Sequence, residues 1–445
     1  MNEQKYLKWY NKIGYASGDI AGNMVYALLS AFVMFYLTDT VGLNMGIVGT
    51  LIFVAMLIDA MTDLVFGRMM DKTHSRLGKA RPWMLWAYLG NVVTLVCCFA
   101  IPESLGETAQ YVFFFISYTM LNAVFFTANN VAYSALTSLV TKNPDERVQL
   151  GSYRFFCSFL TKILIQYVSI EAVARLGGGA EGWRTVAIIY ALIGLAVNTV
   201  SVFSVKEIAE SAPAAEKKNE LSYLQSLRMI LKNKYFVLMC LIYVLIYVDN
   251  AFIGMGIYYA KYIVGDEGVF GDFSLAMNLP IMITLLIVPL ITKKLGGTYS
   301  LNIWGYALAL AGRVLIAVAA HRGDIPLMLV FIAISAVGIS PLKGACNAMV
   351  SACSEYTEKT TGHKLDGMMF SCASFGIKIG GALGAMCGWL LNAAGYVENA
   401  PVQSASAVTM LNVLYIWAPI ILCVVMIVLL ALMRVERANE KLEEK

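Results

Sequence analysis

Long apolar runs separated by short polar loops repeat along almost the whole chain. Each run reaches about 20 residues or more, the length a helix needs to cross the hydrocarbon of a bilayer. Helices are expected rather than strands, because lipid leaves backbone groups no partner outside their own helix. The pattern predicts an all-α membrane protein with twelve transmembrane helices, at residues 14–37, 46–70, 82–101, 110–140, 150–173, 185–204, 235–264, 270–292, 299–320, 326–350, 368–395 and 407–434.

One long polar stretch interrupts this pattern, at residues 206–234. Its second part, ELSYLQSLRMIL, has apolar residues at helical spacing, which is typical of a helix lying in the membrane interface. The stretch predicts a six-helix bundle at 1–205, a cytoplasmic linker at 206–234, a second six-helix bundle at 235–434 and a tail at 435–445. Two such bundles around a central cavity are typical of transporters with a binding site near mid-membrane.

Lys and Arg collect in alternate loops, which predicts the orientation of the chain. KTHSRLGKARP lies on the basic side, whereas PESLGETAQ and GDEGVFGD on the other side contain neither residue. The positive-inside rule then places both termini in the cytoplasm, with the chain crossing the cell membrane many times.

Composition agrees with this class and excludes others. Hydrophobic residues make up 59% of the chain and charged residues 14%, against about 45–50% and 25% in a typical soluble domain. The nine cysteines show no metal-binding spacing, so we expect reduced thiols, and no Walker or GxSxG motif is present. Neither an enzyme nor a nucleotide-driven pump is expected, nor a nucleic-acid partner or a cofactor other than a coupling ion.

Two carboxylates inside the second span are the most informative feature. Asp59 and Asp63 are four residues apart and therefore lie on one face of the helix. Charges at this depth normally face a cavity or a partner. A cation such as Na⁺ held by carboxylate and neutral oxygens, or a proton shared by the two acids, would compensate them. The alternative is that each aspartate pairs with a basic residue on another helix.

Other polar residues also fall within predicted spans. They are Thr127, Asn129 and Asn130 in the fourth, Arg154 in the fifth, Asp249 and Asn250 in the seventh, Arg313 in the ninth, Lys343 in the tenth and Lys378 in the eleventh. Arg313 is close enough to a helix end to reach the interface. Lys378 is too deep for that, and with Arg154 it is a candidate anchor for polar groups of a ligand.

Motifs in a fixed order carry a family resemblance. DAMTD is followed by GRMMDKTHSRLGKARPW, and GYASGDIAGN, FYLTDTVGL, NNVAYSAL, DERVQLGSYRFF, SEYTE and FGIKIGG match in place. Together they resemble the glycoside–pentoside–hexuronide:cation symporters, the melibiose-permease branch of the major facilitator superfamily. The resemblance covers nearly the whole chain and implies alternating-access symport of a sugar, by a protein that can work as a monomer.

The resemblance also implies roles for individual residues. Asp59 and Asp63 match the coupling-cation site, and Thr127 stands where the family has a hydroxyl ligand. Arg154 and Lys378 match the charged sugar-binding positions. Asn23 and Asn130 fall where the melibiose permease has aspartates, and Ser134 replaces an aromatic residue that could stack on a sugar. The change at Asn130 leaves the choice among Na⁺, Li⁺ and H⁺ open.

Charge in the expected cavity bears on the substrate. Asn23 and Asn130 remove two negative charges relative to the melibiose permease, and Lys343 adds a positive charge where an aromatic is expected. A more positive cavity favours an acidic glycoside such as a glucuronide. Asp249, beside Asn250, could neutralise Lys343 or Lys378 as a buried pair, which favours a neutral glycoside or oligosaccharide instead. Both substrate classes stay open at this point, and a lysolipid is the alternative cargo for the same fold.

The loops on the basic side offer candidate gates. Salt bridges between them could hold one conformation of a transporter closed, although solvated loop charges that only set topology would look the same. The candidates are Asp71, Arg76, Lys79 and Arg81 after the second span, and Glu355 and Glu358 after the tenth.

Overall fold

The computed structural model describes residues 5–71, 73, 75–141, 143–208, 223–295, 298–363 and 366–443. The chain is α-helical in these ranges, as the apolar pattern predicts. The helices are α1 (Trp9–Phe35), α2 (Met45–Asp71), α3 (Arg81–Cys98), α4 (Glu107–Thr119), α5 (Thr127–Leu139), α6 (Pro144–Arg175), α7 (Gly179–Ser204), α8 (Tyr223–Lys232), α9 (Lys234–Gly254), α10 (Gly256–Tyr259), α11 (Val269–Leu295), α12 (Tyr299–Arg322), α13 (Ile325–Thr361), α14 (Asp366–Leu383), α15 (Met386–Ala393), α16 (Ala405–Asn412), α17 (Ala418–Leu432) and α18 (Val435–Glu443).

Short π-helical turns interrupt several of these helices. They cover Tyr36–Thr40, Met120–Phe126, Ala260–Val264 and Val413–Trp417, and each continues an α-helix or leads into one. Such turns are rare and are often found at functional sites. The turn at Met120–Phe126 matters most here, because it fixes where α5 begins.

Ten helical segments of the described chain are long and apolar enough to cross a membrane. They are Trp9–Thr40, Met45–Thr62, Glu107–Thr137, Gln149–Arg175, Gly179–Ser204, Lys234–Val264, Val269–Val288, Tyr299–Arg322, Ile325–Thr361 and Ala405–Leu442. The third and eleventh predicted spans are helical but fall outside this set. The third is the short helix α3, which includes Arg81 and Asn91, and the eleventh is broken into α14 and α15.

The chain divides into two compact units. Unit 1 comprises the described residues of Met1–Ala212 together with Asp266–Gly271 and Gly388–Ala407, and unit 2 comprises those of Pro213–Gly265, Asp272–Cys387 and Val408–Lys445.

Unit 1 is organised around α1, which packs against α6 and α7. Buried side chains from six helices form its core, and Tyr15 and Tyr133 are among the largest of them. The core residues are Tyr15, Met70, Ala80, Met84, Ala132, Tyr133, Leu136, Val140, Leu150, Val202 and Val205. Tyr15 and Tyr133 lie together in this core, so their side chains join α1 to α5.

A late segment of the chain completes unit 1. The carboxylate of Glu398 accepts hydrogen bonds from the backbone N–H of Met45, at 2.8 Å, and from the Asn44 side chain, at 3.1 Å. The hydroxyl of Tyr396 donates to Asp39 at 2.6 Å. Glu398 therefore caps the N-terminus of α2, where a negative charge is favoured by the unpaired N–H groups.

Close helix contacts in unit 2 depend on glycine. A Cβ on Gly338 of α13 would overlap the backbone of Gly305 and Ala309 in α12. Gly376 and Gly380 of α14 similarly face α9, and a Cβ on Gly380 would overlap the Val244 carbonyl. Small residues let membrane helices approach this closely, so these two glycines of FGIKIGG make a helix contact.

Glu146, near the start of the DERVQL motif, anchors the N-terminal segment of the chain. Glu146 is buried, and its carboxylate accepts hydrogen bonds from the backbone N–H of Tyr6 and Leu7 and from the Thr141 hydroxyl. Burial alone would raise the pKa of Glu146, but these hydrogen bonds and the charge of Lys12 together lower it below its ordinary value. The ionised carboxylate is therefore the form that stabilises the fold.

We expect Glu146→Gln to weaken this anchor, by about 1–2 kcal/mol at neutral pH. A carboxyl whose pKa is lower in the folded chain stabilises above its unfolded pKa and loses that contribution as pH falls through the folded value. The stability difference between wild type and variant should therefore shrink below about pH 4.5. Thermal melting of the purified protein across pH 7 to 3.5 measures this. Exposed Glu171, changed to Gln, is the control, and a difference that does not change with pH would contradict the assignment.

Candidate functional site

Asp59 of α2 meets Thr127 at the first residue of α5. The Thr127 hydroxyl lies 2.5 Å from the Asp59 carboxylate, to which it donates. Thr127 is buried and Asp59 is half-buried. The sequence places these two residues 68 positions apart, and the structure brings together the carboxylate and hydroxyl oxygens that hard cations prefer.

The π-helical turn before α5 gives this contact its geometry. Thr127 also lies 2.8 Å from the carbonyl of Asn122, five residues earlier, inside that turn. A hydroxyl has one hydrogen, so the Asp59 and Asn122 oxygens compete for it. A proton on Asp59, or a cation that draws the Thr127 oxygen as a ligand, would remove the competition.

The remaining predicted cation and α5 residues are placed as follows. Asp63 lies on α2 one turn after Asp59, and its side chain falls outside the described part of the structure. Asn130 and Ser134 are exposed on α5, four residues apart and hence on one face. Asn129, by contrast, is buried and donates to the Met84 carbonyl, so its role is to hold α5 against α3.

Arg154 of α6 is paired with Asp19 of α1. The guanidinium donates to the Asp19 carboxylate at 2.7 Å, and the exposed fractions of the two side chains are 21% and 18%. Tyr133 of α5 joins them, since its hydroxyl lies 2.9 Å from the same carboxylate and its ring centroid is 4.0 Å from the guanidinium carbon. An ion pair, a phenol and a cation–π contact thus converge from three helices.

Asn23 supports this cluster from the next turn of α1. Its amide donates to the Asp19 backbone carbonyl and to the Ser158 hydroxyl, both at 2.8 Å. The first helix therefore carries a carboxylate at Asp19, one turn before Asn23. Asp19 is the residue missed in the sequence, although an acid inside the apolar GYASGDIAGN run is itself a signal of function.

Unit 2 contains a second buried ion pair, between Asp249 of α9 and Arg313 of α12. Their side chains are 8% and 4% exposed, and the nitrogen–oxygen distance is 2.6 Å. Arg313 also donates to the Pro419 carbonyl of α17 at 2.7 Å. The expectation that Arg313 reaches the interface is thus wrong. Asp249 makes its ion pair with Arg313, not with either lysine.

One oxygen of this pair is unused. Asp249 Oδ1 is buried without a hydrogen-bond partner in the described residues. Lys343 of α13 is half-buried and close enough to be influenced by the charge of Asp249, but it has no carboxylate within ion-pair distance in the described part of the chain. Asn250, the next residue of α9, is exposed.

Lys378 is half-buried on α14. It is two positions from Gly376 and from Gly380, which face α9, and two positions turn a helix by about 200°. Lys378 therefore lies on the side of α14 away from α9.

Three of the predicted gate residues, Lys79, Arg81 and Glu355, have described contacts within their own units. Arg81 is buried and donates to the carbonyls of Val202 and Leu77, while the backbone N–H of Lys79 donates to Glu207. Glu355 pairs with Lys359 one turn along α13. Arg76 and Glu358 are exposed, and the side chain of Asp71 lies outside the described residues.

Comparison with known proteins identifies transporters. A family model described as MFS/sugar transport protein, where MFS is the major facilitator superfamily, matches residues 14–437. The isoprimeverose transporter of Lactiplantibacillus pentosus is 29% identical over 421 residues, which cover 93% of this chain and 86% of that protein. The glucuronide carrier protein homolog of Escherichia coli (strain K12) is 25% identical over 406 residues, covering 90% and 86%.

The fold has solved counterparts. The structure of a proton-dependent oligopeptide transporter superposes with a TM-score of 0.69 at 11% identity, covering 98% of this chain and 100% of that one. At this identity the likeness concerns the fold alone.

We expect Arg313→Met to destabilise the protein by about 3–5 kcal/mol, because it leaves the Asp249 carboxylate buried without its counter-charge. Adding Asp249→Asn should restore much of the loss, since the uncompensated charge is then gone. Thermal melting of the two single variants and the double variant forms a double-mutant cycle. A double variant no more stable than Arg313→Met would contradict the pairing.

Proposed function

Because the chain belongs to the family of MFS/sugar transport proteins, whose model matches residues 14–437, we propose that it imports a sugar or glycoside by symport with a cation. Membership confirms the resemblance to the glycoside–pentoside–hexuronide:cation symporters and identifies a multi-pass membrane transporter rather than an enzyme. We propose that the chain crosses the cell membrane twelve times, with both termini in the cytoplasm. A single chain is proposed to be the working transporter.

The observation that carries the proposal is that α5 touches both charged clusters of unit 1. Thr127 at its start contacts Asp59, and Tyr133, six residues later, contacts Asp19 and Arg154. Six residues of helix span about 9 Å, so the candidate cation site and the candidate sugar site share one rigid element.

This arrangement gives a route for coupling. A cation or proton at Asp59 ends the competition between the Asp59 and Asn122 oxygens for the Thr127 hydroxyl hydrogen. The position of Thr127, and with it the start of α5, then changes. Tyr133 moves with the same helix and so alters the hydroxyl and guanidinium groups offered to a sugar. If cation binding favours sugar binding in this way, sugar binding must favour cation binding by the same free energy.

The proposed roles rest on the described contacts of unit 1 and on the family resemblance. Asp59, Asp63 and Thr127 are proposed to hold the cation, with Asn130 as a further candidate. In unit 1, Asp19, Arg154, Asn130 and Ser134 are the proposed donors and acceptors for the sugar, and in unit 2 the candidates are Asn250, Lys343 and Lys378. Na⁺, Li⁺ and H⁺ are all compatible with this set of oxygens.

Asp59→Asn should abolish gradient-driven uptake while sparing exchange. We expect accumulation of a radiolabelled glycoside in proteoliposomes under a Na⁺ or pH gradient to fall about ten-fold or more, since coupling free energies are typically ~1–3 kcal/mol. Exchange of glycoside at equal concentrations on both sides needs no gradient and should persist. Thr127→Val, which keeps the shape and removes the hydroxyl, should raise the cation concentration required.

Thr185→Val is the matched control, because Thr185 donates only to the carbonyl of Glu181 in its own helix. It should behave as wild type. Accumulation by Asp59→Asn equal to wild type under every gradient would rule out this coupling site.

We further propose that the substrate is an acidic glycoside. Arg154 is compensated by Asp19 and Arg313 by Asp249. Asp249 is already paired with Arg313, so we infer that the charge of Lys343 stays available for a ligand. A half-buried ammonium in a site of low dielectric favours a ligand with a negative group. The relative named as a glucuronide carrier homolog supports this choice.

Lys343→Gln should therefore lower uptake of 4-nitrophenyl β-glucuronide about ten-fold, the loss typical of one charge-assisted hydrogen bond. Uptake of the corresponding β-glucoside should change little. Lys234→Gln, at an exposed position, is the control for removing a charge from unit 2. Equal loss of both substrates, or a wild-type preference for the neutral glucoside, would favour a neutral cargo instead.

A further inference from the structure

Unit 1 contains a cavity of about 610 Å³ at the ends of its helices. It is bounded by the loop between α2 and α3, by the last residue of α5 and by the chain just after α7. Among the described residues, its charged lining comprises four basic side chains and one acidic side chain, namely Arg76, Lys79, Arg81, Lys206 and Glu207. Thr73 and Ser75 add hydroxyl groups to the wall.

The shape of this cavity is fixed by Glu207. Its carboxylate accepts hydrogen bonds from the backbone N–H of Lys79, Ala80 and Arg81, at 2.7–3.0 Å, and so caps the N-terminus of α3. Gly78 has a φ of +109°, and a Cβ there would overlap the same carboxylate. The backbone N–H of Ile208 donates to the Leu139 carbonyl at 2.8 Å. Hydrogen bonds to the backbone therefore fix residues 79–81 and the segment just after α7 on the two sides of the cavity.

Glu207 does not balance the charge of the cavity. Its carboxylate accepts hydrogen bonds from backbone N–H groups, and the Arg81 guanidinium donates to two backbone carbonyls. Arg76 and Lys206 are exposed, and neither has an ion pair or hydrogen bond in the described part of the chain. The described lining thus carries an excess of positive charge, and Arg76 and Lys206 contribute two cations to it that make no ion pair with the described residues.

The location suggests the kind of anion. The cavity lies where the spans α2, α5 and α7 end, which is the level of lipid headgroups for helices that cross a bilayer. Basic pockets at this level bind the headgroups of anionic lipids. The same chemistry would also attract free phosphate from solution.

We propose that this cavity binds the phosphate group of an anionic phospholipid, with Arg76 and Lys206 as its principal contacts. The ligand would sit against the loop that joins α2 to α3, and α2 carries the Asp59 carboxylate. Binding there stabilises unit 1 in the membrane and does not depend on which substrate the protein carries.

The test measures thermal melting of the full-length protein in neutral detergent with added lipid. Phosphatidylglycerol should raise the melting temperature, whereas phosphatidylcholine should not. The double variant Arg76→Gln/Lys206→Gln should weaken the response to phosphatidylglycerol about 30-fold in lipid concentration, at roughly five-fold for each lost charge. Both side chains are exposed and make no ion pair or hydrogen bond with another side chain in the described ranges, so the variant should fold as wild type.

The matched control removes two exposed cations from α8, as Arg228→Gln/Lys232→Gln, and should keep the full response. If both double variants lose it equally, or if phosphatidylglycerol has no effect on wild type, the cavity is not a lipid site and the proposal is overturned. Inorganic phosphate is the second arm. If phosphate stabilises the wild type, the double variant Arg76→Gln/Lys206→Gln abolishes that effect and lipid gives no response, the site binds the free anion. The proposal of a lipid site is then overturned.

Discussion

A charge inside a bilayer has no water to stabilise it, and its compensation within the protein is the constraint on which the rest of this structure depends. Asp19 with Arg154 and Asp249 with Arg313 meet that constraint by direct ion pairs. Each pair also joins helices, α1 to α6 and α9 to α12, so electrostatic compensation and helix packing are the same contact. Asp59 also joins two helices, α2 and α5, by accepting a hydrogen bond from the neutral Thr127 hydroxyl.

The two ion pairs differ in exposure, and this separates their roles. Asp249 and Arg313 are almost fully enclosed, and the guanidinium is also held by a backbone carbonyl. Asp19 and Arg154 keep about a fifth of their surface accessible, so a polar ligand can exchange hydrogen bonds with them. A buried pair contributes little net stability relative to apolar packing, and its value here is in fixing which helices meet.

The sequence was sufficient for the helical class and the acidic face of α2, because periodicity and depth are local properties. The meeting of Thr127 with Asp59 followed from family resemblance alone, since nothing local indicates that two residues 68 apart come together. Arg313 shows what the sequence could not predict. Its distance from a helix end is short enough to reach the interface, but the packing of α12 against α17 directs its side chain inward. Asp19 could have been predicted from the sequence, because it is an acid in an apolar run and lies one turn from Asn23 on the same face.

The late segment that completes unit 1 has a consequence for biosynthesis. The N-terminus of α2 is capped by a carboxylate 353 residues further along the chain. At ribosomal rates of about 5–20 residues per second, Met45 emerges roughly 20 to 70 s before Glu398 does. During that interval the first half of the protein is already in the membrane with an uncapped helix end and an unmatched Asp39. Maturation of the early helices is therefore tied to completion of the last loop, and premature termination would leave even the first unit unfinished.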